Sequence, residues 1–155
     1  MKKIFLMVAF IATGLVQTSA LERLPLHVDL LTHYYAIKDA LVDSKPDIVA
    51  THASEFIKLS ASVDAKSLPD ANRTQLVKNA SAIAGSKDLK KQREYFSVFS
   101  ENMAVLAKIT KLSHGSIYQA YCPMKKASWL SKEAAIKNPY YGSSMLTCGK
   151  VVETL

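Results

Sequence analysis

The sequence predicts a mainly α protein: an up-down four-helix bundle followed by a loop-rich C-terminal lobe built around cysteine and methionine. Three observations predict it. Apolar residues recur at spacings of three and four through four successive segments between Leu24 and Ile109. Short breaks at Pro46, Pro69 and Gly85 separate those segments, with no long Pro-, Gly- or Ser-rich linker and no internal repeat. After Gly115 the helical period gives way to alternation and turn residues.

The chain opens with Met1-Lys2-Lys3, an apolar run from Ile4 to Val16, and Gln17-Thr18-Ser19-Ala20, with small residues where signal peptidase cuts. A signal peptide over residues 1–20, cleaved after Ala20, is therefore expected. The run is shorter than the roughly 20 apolar residues a membrane span needs, so no transmembrane anchor is expected once it is removed. The mature part, residues 21–155, is long enough for one domain with a single core, in the periplasm or secreted. Cleavage removes Lys2 and Lys3 and no acid, so 18 basic and 13 acidic residues remain, a net charge of about +5. Such a charge suits an anionic surface, but the lysines are spread along the chain, and an exported protein is not expected to bind nucleic acid. The one dense run, Lys87, Lys90, Lys91 and Arg93, reads as a solvated helix face.

The first helix spans Leu24 to Val42, with Leu24, Val28, Leu31, Tyr35 and Val42 on a face widened by Leu30, Tyr34, Ile37 and Leu41. Pro46-Asp47 suits a second start, because proline is pre-set for a first helical turn and an acid complements the dipole there. Ile48, His52, Phe56, Leu59 and Val63 then share a face. Pro69-Asp70 opens a third helix, carried by Leu76, Ala80 and Ile83 and expected to stop at Gly85 in left-handed geometry. Ser86 is the expected cap of the fourth, whose stripe of Leu89, Gln92, Phe96, Phe99, Met103, Leu106 and Ile109 runs toward Ser113-His114-Gly115. Four such helices with short links suit a bundle.

In the tail, Ile117 to Tyr121 alternates at period two, which leaves room for a short strand pair. Asn138-Pro139-Tyr140-Tyr141-Gly142 is turn chemistry: an asparagine that bonds its own backbone, a proline that fixes one dihedral and a glycine that permits a positive one. Trp129, Tyr140 and Tyr141 are expected to pack the lobe.

The chemistry concentrates in the same segment. Cys122 and Met124 stand two apart, on one side of an extended stretch; Met145 and Cys148 stand three apart, on one face of a helical turn. Four soft sulfur donors suit Cu(I). His114, closing the fourth helix, is the best nitrogen donor to add. His52 reads as a hydrogen-bonded core histidine, while His27 and His33 begin the first helix and are expected at the surface. The alternative for Cys122 and Cys148 is a disulfide flanked by two packed methionines, since an oxidising compartment favours one. No paired carboxylates, no nucleophile with a base and an orienting group, and no Cys-x-x-Cys motif point to an enzyme.

In order, Tyr121-Cys122-Pro123-Met124, Trp129-Leu130-Ser131, Ile136, Asn138-Pro139-Tyr140-Tyr141-Gly142, Met145-Leu146 and Cys148-Gly149 resemble the bacterial DUF3347 family. Tyr35 to Leu41 in the first helix and Arg93, Phe96 and Ser100 in the fourth add to the resemblance. It implies an envelope domain, found alone or appended to periplasmic adaptor subunits of heavy-metal efflux systems, and described as copper-binding. The expectation is a non-enzymatic periplasmic protein that binds a soft heavy-metal ion, Cu(I) above all, for sequestration or delivery, through Cys122, Met124, Met145 and Cys148 with His114. The rival expectation is a structural module held by a Cys122–Cys148 disulfide, whose aromatic lobe docks onto an efflux adaptor or another envelope protein.

Overall fold

A computed structural model describes residues 26–155, with side chains from Asp29 onward. The expected signal peptide, its cleavage after Ala20, the helix start at Leu24 and the side chain of His27 lie outside the described residues. The elements run α1 (Leu26–Val42), α2 (Pro46–Ser60), α3 (Asp70–Ala84), α4 (Leu89–Ile109), β1 (Tyr118–Cys122), β2 (Ala127–Ser131), one turn of 3-10 helix (Gly142–Met145) and β3 (Lys150–Thr154). The fold is mainly α, a bundle in which each helix packs chiefly on the next in sequence, with a small sheet laid by β2 on α4.

The helix boundaries follow local chemistry. Pro46 takes the first turn of α2, where its missing N–H costs nothing. Asp88, rather than Ser86, caps α4: its carboxylate accepts the N–H groups of Lys90 and Lys91 at 2.8 and 3.1 Å. The Ser86 hydroxyl sits upstream and accepts the Asp88 N–H at 3.2 Å. Gly85 ends α3 without reversing hand, at φ −76°. The last turn tightens instead, Ser86 donating to the Ile83 carbonyl at 3.2 Å, so no left-handed residue is required. Helix α4 stops at Ile109, short of the expected Ser113, because Thr110 is extended and both its N–H and its hydroxyl close on the Leu106 carbonyl at 2.9 Å.

The inner face of α2 also differs from expectation. Val49, Ala53, Phe56 and Ser60 are buried, whereas Ile48 is 43% exposed. The face is turned by one residue, because Ala53 and Ser60, weak on hydropathy, are small enough for close packing. His52 consequently lies half-buried at the margin rather than in the core. On α4 the expected stripe from Gln92 to Leu106 is buried, and only Ile109 at its end stands in solvent.

Aromatic side chains join bundle and lobe. Tyr34 stacks on Phe96 at 5.5 Å, Phe56 meets Phe99 edge-on at 4.9 Å, and Phe96 reaches Tyr140, which in turn meets Trp129 edge-on at 6.0 Å. The Tyr34 hydroxyl accepts the Leu130 N–H of β2 at 2.9 Å and bonds the Ser100 hydroxyl of α4. Burial raises the Tyr34 phenol far above its ordinary pKa, and these hydrogen bonds only partly oppose it. The group is therefore a neutral link between α1, α4 and the sheet.

The sheet is antiparallel in the order β2-β1-β3. The β1–β2 hairpin is the expected strand pair. Strand β3 adds a third, which alternation did not announce because every residue of Lys150–Thr154 is exposed. A bulge between Gln119 and Ala120 shifts its register. Among the described residues no helix is long and apolar enough to cross a membrane.

Candidate functional site

Cys122 ends β1, and the chain then reverses through Pro123–Lys126 into β2. Lys126 takes the left-handed conformation at φ 56° and donates its N–H to the Cys122 carbonyl at 2.8 Å. The stretch is thus a tight turn rather than the extended segment expected from Cys122-Pro123-Met124. In this turn Met124 is 64% exposed, while the Lys125 N–H points back at the Cys122 sulfur at 3.4 Å.

Asn138 holds the other half of the site. It is fully buried and uses every part of its amide: its N–H donates to the Leu146 carbonyl at 2.8 Å, its side-chain NH₂ to the Cys148 carbonyl at 2.7 Å, and its side-chain oxygen accepts the Tyr140 N–H at 2.8 Å. Gly142 closes the loop onto the Asn138 carbonyl at 3.0 Å with φ +56°. A Cβ there would stand 2.8 Å from both the Val42 carbonyl and the Arg93 guanidinium, so both dihedral and space require glycine.

Arg93 clamps this loop to the bundle. It donates to the Pro139 carbonyl at 3.0 Å, the Leu41 carbonyl at 2.9 Å and the Ser44 hydroxyl at 3.1 Å. The expected solvated face therefore loses Arg93, which is half-buried between α1, α4 and the lobe.

Met145 ends the 3-10 turn, and Cys148 closes the next one by donating its N–H to the Met145 carbonyl at 3.0 Å. Gly149 then runs against the Trp129 ring, close enough that a Cβ would fall 2.7 Å from it. These two frames bring the sulfurs of Cys122 and Cys148 to 3.7 Å. They are not bonded, a disulfide being about 2.05 Å, and both cysteines are free.

The two thiols are not equivalent. Burial works against ionisation of Cys122, but the Lys125 and Met124 N–H groups, the Asn138 amide and the Cys148 thiol together outweigh it and lower its pKa. Cys148 shifts upward, first through desolvation and then through the hydrogen bond and charge of Cys122. Of the two, Cys122 is therefore the thiol that ionises first.

The segments carrying the cysteines also carry the methionines, Met145 half-buried and Met124 in solvent. His114 is elsewhere. It is exposed in the loop between α4 and β1, beside a cleft of about 350 Å³ shared with Leu112, Ile117 and Leu155. Strand β1 lies between it and Cys122, a rise of about 14 Å at 3.4 Å per residue. Among the described residues no three His, Cys, Asp or Glu side chains gather as a metal site. Trp129 and Tyr140 are 1% and 4% exposed, so the aromatic lobe presents them to its own core rather than to a partner.

Sequence reasoning missed the work of Asn138 and Arg93. Asn138 had a legible signal as a polar residue opening a turn, but its reach to the Cys148 carbonyl depends on a contact ten residues away.

The model of the family described as a protein of unknown function, DUF3347, matches residues 30–115. The chain belongs to that family. The DUF3347 match spans α1 to α4 and includes Tyr35 to Leu41, Arg93, Phe96 and Ser100; it ends before the Cys122–Cys148 lobe, where most of the quoted motifs stand. No curated protein and no solved structure matches the chain.

Proposed function

We propose that this DUF3347 protein is a non-enzymatic, exported binding protein for Cu(I), acting in the periplasm or outside the cell in sequestration or delivery. The observation that carries the reading is the unbonded approach of Cys122 and Cys148 at 3.7 Å. Metal–thiolate bonds of about 2.3 Å in tetrahedral geometry place neighbouring sulfurs about 3.8 Å apart. The lowered pKa of Cys122 eases the deprotonation that such a ligand must undergo. Met145, half-buried three residues before Cys148, is the first supplement, Met124 joins by folding back over its turn, and soft donors of this kind favour Cu(I). His114 contributes only if its loop leaves the far end of β1. The four helices, in an up-down arrangement, serve as the scaffold that fixes Asn138 and the turn.

An anaerobic Cu(I) titration of the reduced protein against a competing chelator tests this. One equivalent is expected to bind, with affinity falling at least a hundredfold in Cys122→Ser and in Cys148→Ser. Met124→Leu with Met145→Leu, close in volume, should weaken binding by a smaller factor without changing the fold. Absence of competitive binding by the reduced form would overturn the reading.

The same contact favours a second reading. The sulfurs need close by only about 1.7 Å to reach disulfide length, and the loop so closed would contribute about 3–4 kcal/mol on the chain-entropy model. The protein would then be a disulfide-held module docking onto an envelope partner such as an efflux adaptor, through exposed Met124, Leu146, Val151 and Val152 rather than through its aromatics. Counting thiols in protein taken directly from cells separates the two: two free thiols support the metal site, none the module.

A further inference from the structure

The dense basic run at the start of α4 does not face solvent evenly. Lys87 is held by Asp47 at 2.8 Å, whereas Lys90 and Arg93, one turn apart on the same side of the helix, look onto the lobe. There a cleft of about 430 Å³ opens between α4 and the lobe, lined by Lys90, Arg93 and Lys125 together with the apolar surface of Leu89 and Tyr141. Its size falls within the range of about 300–1,000 Å³ usual for small-molecule sites.

The charges of this cleft are unbalanced. Arg93 spends Nε and Nη2 on two main-chain carbonyls and the Ser44 hydroxyl, and Nη1 bonds nothing among the described residues. Burial alone lowers its pKa, with no carboxylate to raise it, so a half-buried guanidinium stands without a counter-ion. Lys125 is half-buried as well, and neither it nor Lys90 forms an ion pair among the described residues. Against these three cations the cleft sets one carboxylate, the exposed Glu94. It follows Lys90 by four residues, the order in which a helical pair attracts less well. Two uncompensated positive charges in a partly desolvated recess attract an anion more strongly than the same charges on an open surface.

We propose that this cleft binds a small aromatic carboxylate, its carboxylate taken by Lys90, Lys125 and the unused Nη1 of Arg93 and its ring laid along Leu89 and Tyr141. The ring is required because an inorganic anion would satisfy the charges and leave the apolar surface uncovered. The site does not rest on the Cu(I) reading. Lys125 nevertheless joins the two places, since its side chain lines the cleft while its main-chain N–H reaches the Cys122 sulfur at 3.4 Å.

Benzoate titrated into the full chain, reduced and metal-free, provides the probe, read in the amide nitrogen–proton correlation spectrum. The Lys90, Lys125 and Tyr141 amides should shift saturably while Ser113 and His114, at the other cleft, stay in place. Affinity should fall about tenfold or more in the double variant Lys90→Ala with Lys125→Ala, because charged hydrogen bonds are lost. It should rise in Glu94→Gln, which removes the opposing charge. Arg93 is left intact because it clamps the loop, and the lysine changes keep the main-chain N–H on Cys122, so Tm should be unchanged. Inorganic phosphate, which has no ring, should bind more weakly than benzoate. The absence of a saturable shift in the wild-type protein, an affinity unchanged in the double variant, or phosphate bound as tightly as benzoate would each overturn the proposal. Should the double variant not fold, Glu94→Gln decides, and an affinity that does not rise there would overturn it.

Discussion

Replacing Tyr34 by Phe removes one oxygen atom and leaves the ring, so its cost isolates the link between bundle and sheet. Stacking on Phe96 at 5.5 Å and contact with Phe99 at 5.7 Å are preserved. What is lost is the acceptor of the buried Leu130 N–H, on the edge of β2 away from β1, and the partner of the Ser100 hydroxyl. An orphaned buried donor costs about 1–3 kcal/mol. Ser100 adds little, because a helical serine can turn its hydroxyl to the carbonyl four residues back, here Phe96. The expected loss is therefore about 2 kcal/mol, which at about 4 °C per kcal/mol for a domain of this size lowers Tm by roughly 8 °C. Urea unfolding should show a reduced midpoint with an unchanged slope. Ser100→Ala in the Tyr34→Phe background should cost less than Ser100→Ala alone, since the two hydroxyls are coupled. A loss below about 0.5 kcal/mol in Tyr34→Phe would refute the reasoning, since it would mean that water satisfies Leu130 as well as the phenol does.

Two further predictions follow from the frame of the site. Arg93→Ala should cost about 2–4 kcal/mol, since a charged donor serving two main-chain carbonyls and a hydroxyl is lost together. Arg93→Lys should recover only part, because one ammonium cannot span the positions of the guanidinium fork; hydrogen exchange at Gly142 reads the loosened loop, and a loss under 1 kcal/mol in Arg93→Ala would count against the clamp. The cysteine ¹³Cβ shifts should titrate in two steps, Cys122 below and Cys148 above the ordinary thiol value, and Cys148→Ala should move Cys122 upward by removing a donor. The depressed Cys122 contributes stability that is present above the unfolded thiol pKa and lost as pH falls through the folded one. The raised Cys148 contributes stability that is lost as pH rises past the unfolded value. Simultaneous titration, or the reverse order, would contradict the asymmetry.

The four helices were legible because each repeats its period over several turns, and a pattern sampled that often survives small errors. Finer detail was lost where small residues decide. Ala53 and Ser60 set the inner face of α2, yet neither stands out on hydropathy, and reading from Ile48 turned the face by one residue and sent His52 to the core. The lobe was legible in its chemistry and less so in its geometry. Both cysteines were marked, and their approach to 3.7 Å fits either expectation for them. The turn after Cys122 carries no glycine to announce the left-handed Lys126, so Met124 was expected beside its cysteine rather than in solvent. Strand β3 offers no alternation, being exposed at every position and paired through its backbone. His114, near Cys122 in sequence, is set apart from it by the length of β1, a separation that counting residues along the chain does not reveal.

Asn138 also bears on how the protein ages. Asparagine side chains deteriorate chiefly when the main-chain nitrogen of the next residue attacks the amide carbon, forming a cyclic imide that opens to aspartate or isoaspartate. At this position the product would set a carboxylate against the Cys148 carbonyl, where the amide now donates at 2.7 Å, and would loosen both halves of the sulfur site. The next residue is Pro139, whose nitrogen carries no hydrogen, so the damaging ring cannot close in this way. The residue that shapes the turn thereby also protects the asparagine that frames the two sulfurs.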